Sequence, residues 1–348
     1  MLRGQGSKTM VHNRTGLTHL TVVALLLCGV AALSLSLSSC QAGPGAELRP
    51  LTVAIPPLEQ NALLYVAEAR HLFEDNGLQV TFQDYDSSVA TMDALLQGKA
   101  NIAGLSEFPF IKPALQGEPV CIIAVTDHFE NAYLLIRRDR GIAAWPDLAG
   151  KTIGVIRGTI LEFYLGRFLQ LNGLDLQDVA IVDTKNTART TAAIVEGDVD
   201  AVVAFQPHVS DIQAQMSSGV TTWAVQNDQL VYGILVADDD WLGQNRDTVQ
   251  RFLQSLADAE EYLLTHPDEA RAIVQERLGL EGEYLAGTWS LHEFSLSLDL
   301  SLVIALNDEA RWLIDNGLVA ETTVPDFTDY VYLEGLAAVK PEAVNISR

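Results

Sequence analysis

Apolar residues in this chain come in short blocks that alternate with longer stretches of helical period, and one block-and-helix phrase occurs twice. Residues 51–55 (Leu-Thr-Val-Ala-Ile) form a brief apolar run ended by Pro56-Pro57, a strand by length and by its stop. The pattern then predicts a helix over 61–75, with Leu64, Ala67, His71 and Leu72 near one face and Asn76-Gly77 as its terminator. Residues 80–85 read as a second strand, and Asp86-Ser87-Ser88 as the cap of a helix over 89–97. Further strands are predicted at 120–125, 132–136, 151–156, 221–225 and 230–236. From Asp247 onward the period is helical, with Phe252, Leu256, Ala259, Leu263 and Leu264 forming one stripe.

The repeated phrase begins at Asn76-Gly77-Leu78. It continues through an extended stretch and a helix closing on Leu96-Gln97-Gly98, then the strand Asn101-Ile102-Ala103-Gly104-Leu105, and ends at Pro109. It returns as Asn172-Gly173-Leu174, the strand Val179-Ala180-Ile181-Val182, a helix closing on Val195-Glu196-Gly197, a strand over 200–205, and Pro207. In each copy a glycine stands where a helix must turn through a left-handed residue into a buried strand. Strands alternating with helices imply mainly parallel sheets with covered faces. The expected fold is α/β with two lobes, each a mainly parallel sheet flanked by helices, and a helical C-terminal extension on the first. The expected divisions are 1–39 signal, 40–49 tether, 50–137 first lobe, 138–229 second lobe and 230–348 return to the first. Paired lobes make a cleft, and two chain crossings make a hinge.

The first forty residues read differently. Arg3, Lys8 and Arg14 precede an apolar run over 17–37 that holds no acidic residue, and Leu37-Ser38-Ser39-Cys40 follows. A basic head, an apolar middle and small residues before a cleavage point make a secretory signal. The Leu-Ser-Ser-Cys ending resembles a bacterial lipobox, in which Cys40 is lipidated and becomes the first mature residue. A plain membrane anchor is the alternative. Residues 41–47 read as a flexible tether. Without 1–39 the chain has 19 Lys+Arg against 45 Asp+Glu, a formal charge of -26 instead of -23, and Cys121 is then the one thiol of the folded body. Such a charge argues against nucleic acid as a partner. It does not exclude a small anion, since local backbone amides can outweigh a distant net charge.

Ligands of open α/β sheets sit beyond the carboxyl ends of the strands. That rule selects Gln60 and Asn61 after the first strand, and Ser87 and Ser88 after the second. It also selects Ser106, Glu107 and Phe108, then Gly158 and Thr159, Asn186, and Gln206 and His208 around Pro207. Thr159 with Glu162 three residues on has the spacing of a capping box, and the helix start they mark suits an anionic group. Catalytic patterns are weak. Gly104-Leu105-Ser106-Glu107-Phe108 lacks the last glycine of a nucleophile elbow, no phosphate loop occurs, and the histidines and Cys121 show no ligand spacing. Asp238-Asp239-Asp240 reads as a solvated turn instead of a calcium loop. No cofactor, metal or catalytic residue is expected, and the chain is read as a non-enzyme.

Several stretches together resemble one family. They are residues 51–55, Tyr65-Val66-Ala67 to Phe73, Asn76-Gly77-Leu78, Ala94-Leu95-Leu96-Gln97-Gly98, Asp147-Leu148-Ala149-Gly150-Lys151 with Ile153-Gly154-Val155, Gly158-Thr159, and Gly197-Asp198-Val199-Asp200-Ala201 on to Pro207. Their order and spacing over about 50–275 are similar to bacterial ABC-transporter solute-binding proteins for nitrate, taurine, aliphatic sulfonates and thiamine-pyrimidine precursors. The resemblance implies a two-lobed periplasmic-binding fold of type 2 that closes on one small solute and presents it to permease and ATPase subunits. It implies an extracytoplasmic monomer tied to the membrane at Cys40, and pocket roles for Ser87, Ser88, Ser106, Glu107, Gly158, Thr159 and Gln206. Where relatives carry Trp-Glu-Pro or Trp-Asp-Pro this chain has Phe205-Gln206-Pro207, which favours a neutral or anionic solute. An enzyme on the same fold, such as a thiamine-pyrimidine synthase, and a sensory subunit are the rival readings.

Overall fold

Strand pairing divides the folded body between two sheets of closely matching plan. The computed structural model describes residues 47–226, 229–280, 285 and 287–346, together with Gly6. The chain forms two compact units, Met1–Glu47 and Leu48–Arg348. The expected signal, the lipidation site at Cys40 and most of the tether lie outside the described residues; everything below concerns the second unit.

The chain starts with β1 (Arg49–Ile55), α1 (Ala62–Ala69), α2 (Leu72–Asp75) and β2 (Leu78–Asp84). It continues through α3 (Ser88–Leu96), β3 (Ile102–Ser106), α4 (Phe108–Leu115) and β4 (Val120–Phe129). The next elements are β5 (Ala132–Arg137), β6 (Thr152–Val155), α5 (Ile160–Leu171), β7 (Ala180–Asp183), α6 (Thr187–Glu196), β8 (Ala201–Phe205), α7 (His208–Met216) and β9 (Val220–Ala224). β10 (Val231–Asp238) precedes a helical tail of α8 (Asp239–Gln244), α9 (Arg246–Thr265) and α10 (Pro267–Leu278). A two-residue strand β11 (His292–Glu293), α11 (Leu300–Asp315) and α12 (Leu333–Val339) follow.

Sheet one has the order β11-β4-β10-β3-β1-β2, and sheet two the order β7-β6-β8-β5-β9. β1 pairs in parallel with β2 and β3, as β6 does with β7 and β8. β10 runs antiparallel between β3 and β4, as β5 does between β8 and β9. Each sheet thus receives its antiparallel strand directly after the chain has crossed from the other. The crossings fall at 129–132 and 224–231. This corrects the expected boundary at 137: the strand over 132–136, assigned to the first lobe, belongs to sheet two. Its apolar run does not say which partners it takes, because pairing is decided by distant strands.

Other local expectations fail too: Leu264, placed on the buried stripe, is 69% exposed. The helix predicted over 61–75 breaks at His71, whose φ of 59° is left-handed, so α1 and α2 are separate. The glycines that end the repeat's helices behave as read: Gly98 and Gly197 are left-handed, with φ of 66° and 86°. Buried apolar side chains form one large cluster that includes residues of both sheets, such as Ile122 and Ile153. A smaller cluster of Leu135, Ile194, Val202, Val209 and Ile212 sits against sheet two. Phe163 of α5 lies 5.8 Å from Phe108 and 5.4 Å from Trp312, ring centre to ring centre, which joins sheet two's first helix to α4 and the tail.

Candidate ligand cavity

A cavity of about 190 Å3 opens where the carboxyl ends of strands from both sheets face each other. For scale, a cavity of about 150 Å3 accepts benzene. Its apolar wall includes Pro56, Pro57, Leu58, Ile156, Ile160, Leu161 and Phe205. Most of its polar groups arrive at the first turns of four helices: Ser87 and Ser88 at α3, Thr159 at α5, Thr187 and Thr190 at α6, and His208 at α7. Each of these helices has at least nine residues. Aligned peptide dipoles give each start a positive partial charge and unpaired N–H groups. No Lys or Arg lines the cavity; Asp86, exposed, is the one carboxylate in the lining.

The starts are prepared differently. At α3 the Ser87 hydroxyl accepts from Ala90 N at 3.2 Å, an ordinary N-cap. The buried Ser88 hydroxyl accepts from Ser106 N at 3.2 Å and lies 3.4 Å from Ser106 Oγ, so these serines fix each other on the cavity floor. At α5 the expected capping box forms only in part. Thr159 Oγ1 turns back and donates to Ile156 O at 2.6 Å, and no side chain caps this helix. Glu162 accepts from Gly158 N at 2.7 Å and from Arg157 Nε at 2.9 Å, which neutralises the carboxylate and directs it away from the cavity. The leading turn of α5 is therefore open to a ligand. At α6, Thr190 Oγ1 lies 2.6 Å from Thr184 Oγ1, which anchors its side chain. Burial keeps the His208 imidazole below its ordinary pKa, against the pull of Asp211, so it is neutral near pH 7.

Of the twelve ligand-contact residues read from the sequence, Ser87, Ser88, Ser106, Thr159 and His208 line this cavity. Gln60 and Gln206 line a smaller chamber that shares the walls Leu58 and Phe205 with it. Gln206 is turned to structural duty, since its Oε1 accepts from Ser210 N at 3.2 Å and Oγ at 2.9 Å. The others lie elsewhere. Asn61 donates to Pro56 O at 2.7 Å and braces the loop after β1. Asn186 caps α6 by accepting from Arg189 N at 3.0 Å. Gly158, with φ of 74°, lines an outer groove. Phe108 packs against Phe163 and Trp312 in the core. Glu107 is fully buried beside Glu309, and burial raises both carboxyls above their ordinary pKa; the charge of Glu107 raises Glu309 further, whereas the hydrogen bond from Glu309 holds Glu107 down. Sequence reasoning missed Thr187, Thr190, Ile160 and Leu161. A usable signal existed, because Thr187 and Thr190 are one turn apart directly after Asn186, itself a candidate ligand contact.

Comparison with known proteins fits this arrangement. The NMT1/THI5-like family model matches residues 59–270. YtlA of Bacillus subtilis (strain 168), whose name marks it only as a binding-protein candidate, is 25% identical over 210 residues, 59% of this chain and 63% of its own length. This chain therefore spans a little under two thirds of that relative. A 4-amino-5-hydroxymethyl-2-methylpyrimidine phosphate synthase of Aspergillus parasiticus is 24% identical over 232 residues, 60% of this chain and 65% of its own. Among solved structures, the alkanesulfonate-binding protein SsuA from Xanthomonas axonopodis pv. citri bound to MOPS superposes with a TM-score of 0.72 at 18% identity. That match covers 83% of this chain and 99% of the other, and it establishes the periplasmic-binding fold. By the extent of the family match, the chain belongs to the NMT1/THI5-like family.

Proposed function

We propose that this protein is the extracytoplasmic solute-binding component of an ABC importer, lipid-anchored at Cys40, and that it binds without catalysing a reaction. The observation that carries the reading is the convergence of four helix starts on one largely apolar cavity whose lining holds no Lys or Arg. Such a site neutralises an anionic head with backbone amides and buries an uncharged body. The volume suits a short alkanesulfonate or a substituted pyrimidine ring, and nitrate would leave most of it empty. The anchor rests on the Leu37-Ser38-Ser39-Cys40 ending, and the permease and ATPase partners on the family resemblance. Closure about 129–132 and 224–231, with a monomer as the working unit, completes the scheme.

The test is thermal unfolding of protein freed of carried solute, against alkanesulfonates, taurine, nitrate and pyrimidines. A ligand at 100 times its Kd adds about 2.7 kcal/mol, which raises the Tm of a body this size by about 4 °C. Silence across all four classes would remove the reading.

The enzyme reading draws on His208, the one candidate general base in the cavity, and on the Aspergillus relative. It needs a second group to act as acid or nucleophile, and the lining supplies the exposed Asp86 and serine and threonine hydroxyls, most of them already engaged in hydrogen bonds to backbone or to one another. Conversion of a bound pyrimidine, followed by mass spectrometry, would decide for it.

A further inference from the structure

Next to the cavity, behind the shared walls Leu58 and Phe205, lies a chamber of about 10 Å3 bordered also by Glu59, Gln60, Gln206 and His292. That is room for one oxygen atom the size of a water. Two buried nitrogens on its border have no hydrogen-bond partner, Gln60 Nε2 and His292 Nε2. Gln60 is 2% exposed, and so is the His292 side chain.

The His292 ring is held firmly. Its Nδ1 meets the fully buried Asp127 Oδ2 at 2.6 Å. Phe129 stacks on it at 4.9 Å and Phe294 at 5.1 Å. With Nδ1 committed to Asp127, Nε2 is the atom left to address the chamber. Burial opposes a charge on this imidazole, but Asp127 and then Glu59 overcome it, and the pKa stands above its ordinary value. In the charged ring that this shift favours, Nε2 carries a proton and donates, as the Gln60 amide does. Two convergent donors ask for an acceptor. The carboxylates of Asp127 and Glu59 nearby disfavour an anionic one, so the acceptor is neutral.

Resting on the sulfonate-type reading above, we propose that this chamber is a second polar subsite of the solute cavity, which takes one neutral alcohol or carbonyl oxygen of the solute through Gln60 Nε2 and His292 Nε2. A solute without such an oxygen leaves the place to a single water. The subsite makes the protein selective among solutes that share a head group, because a methyl placed there would leave two buried donors unpaired.

The test compares hydroxyl-ended with methyl-ended alkanesulfonates of equal heavy-atom number, from two to four carbons before the end group, by calorimetric titration of the full-length protein. At least one hydroxyl member is expected to bind about tenfold tighter than its methyl counterpart. In Gln60→Met, and separately in His292→Asn, which keeps an amide for Asp127 and removes Nε2, that ratio falls to about threefold or less. The ratio within one variant is insensitive to a general loss of affinity or stability. Equal or tighter binding of the methyl member at every length overturns the subsite and leaves the importer reading standing, as does a ratio that survives both substitutions. If neither series binds, the sulfonate reading of the cavity falls and the subsite with it.

Discussion

The turn after β3 and the turn after β8 are written in nearly the same phrase, yet they serve different ends. Glu107 and Gln206 occupy the same place, one residue beyond a central strand and just before a helix. Glu107 is fully buried beside Glu309, under α11 of the tail. Gln206 is half-buried, caps Ser210, and brings His208 to the cavity. The first helices repeat the contrast. In sheet one α1 packs against α9 and α10, whereas in sheet two α5 has no tail of its own and borrows Trp312 from α11. A repeated sequence therefore fixes backbone and turns, while the material laid over each copy decides what its loop side chains do. Sheet one became the frame, and sheet two carries the lighter cover.

Removing the borrowed cover should break this arrangement most severely. Trp312 is 3% exposed and wedged against Phe163, Phe108 and the bare backbone of Gly166, where a Cβ would stand 2.2 Å from its ring. Trp312→Ala is expected to cost about 3–5 kcal/mol by urea denaturation. Gly166→Ala alone costs about 1–3 kcal/mol from overpacking, partly offset by about 1 kcal/mol of helix propensity. In the Trp312→Ala background the same alanine has room, so its penalty should vanish or reverse. Additive losses would mean that the two residues do not meet.

The next test converts the first turn into the second. Glu107→Gln places at that position the residue type found at 206. The folded protein keeps protons on the Glu107–Glu309 pair, while the unfolded chain releases them above the ordinary value of 4.5. A raised carboxyl pKa gives stability that is complete below that value and is lost as pH climbs past it. Wild-type stability should therefore fall from pH 5 toward pH 8. Glu107→Gln should flatten that fall and gain about 1–3 kcal/mol at pH 8. An unchanged slope in the thermal melting series would show that this pair does not govern it.

These differences mark how far the sequence could be read. Glycine stops, strand lengths and the N-cap at Ser87 depend on neighbours within a few residues, and they were legible. The placing of β5 in sheet two depends on partners around 200 and 220. Glu107 takes its character from burial under the distant α11, and His292 from Asp127, which is 165 residues away. No local pattern announces such meetings. Five cavity residues were legible because strand ends in this fold class point at ligands; Thr187 and Thr190 stand inside the following helix, beyond the loop that this rule selects.

The smallest expected effect sets two equivalent caps side by side. Ser87 follows β2 and Asn186 follows β7, and each accepts from the N–H three residues on, at 3.2 Å and 3.0 Å. Ser87→Ala and Asn186→Ala should therefore each cost about 1 kcal/mol of stability, since one orphan donor per helix loses its acceptor. Only Ser87 also lines the cavity. Its alanine variant should weaken the best solute of the thermal screen about threefold or more beyond any stability effect, while Asn186→Ala should bind it as wild type does. Equal affinity losses in both would mean that helix order, and not the Ser87 hydroxyl, is what the solute feels, because the two variants remove the same bond from the same place in each copy and differ only in which hydroxyl or amide faces the cleft.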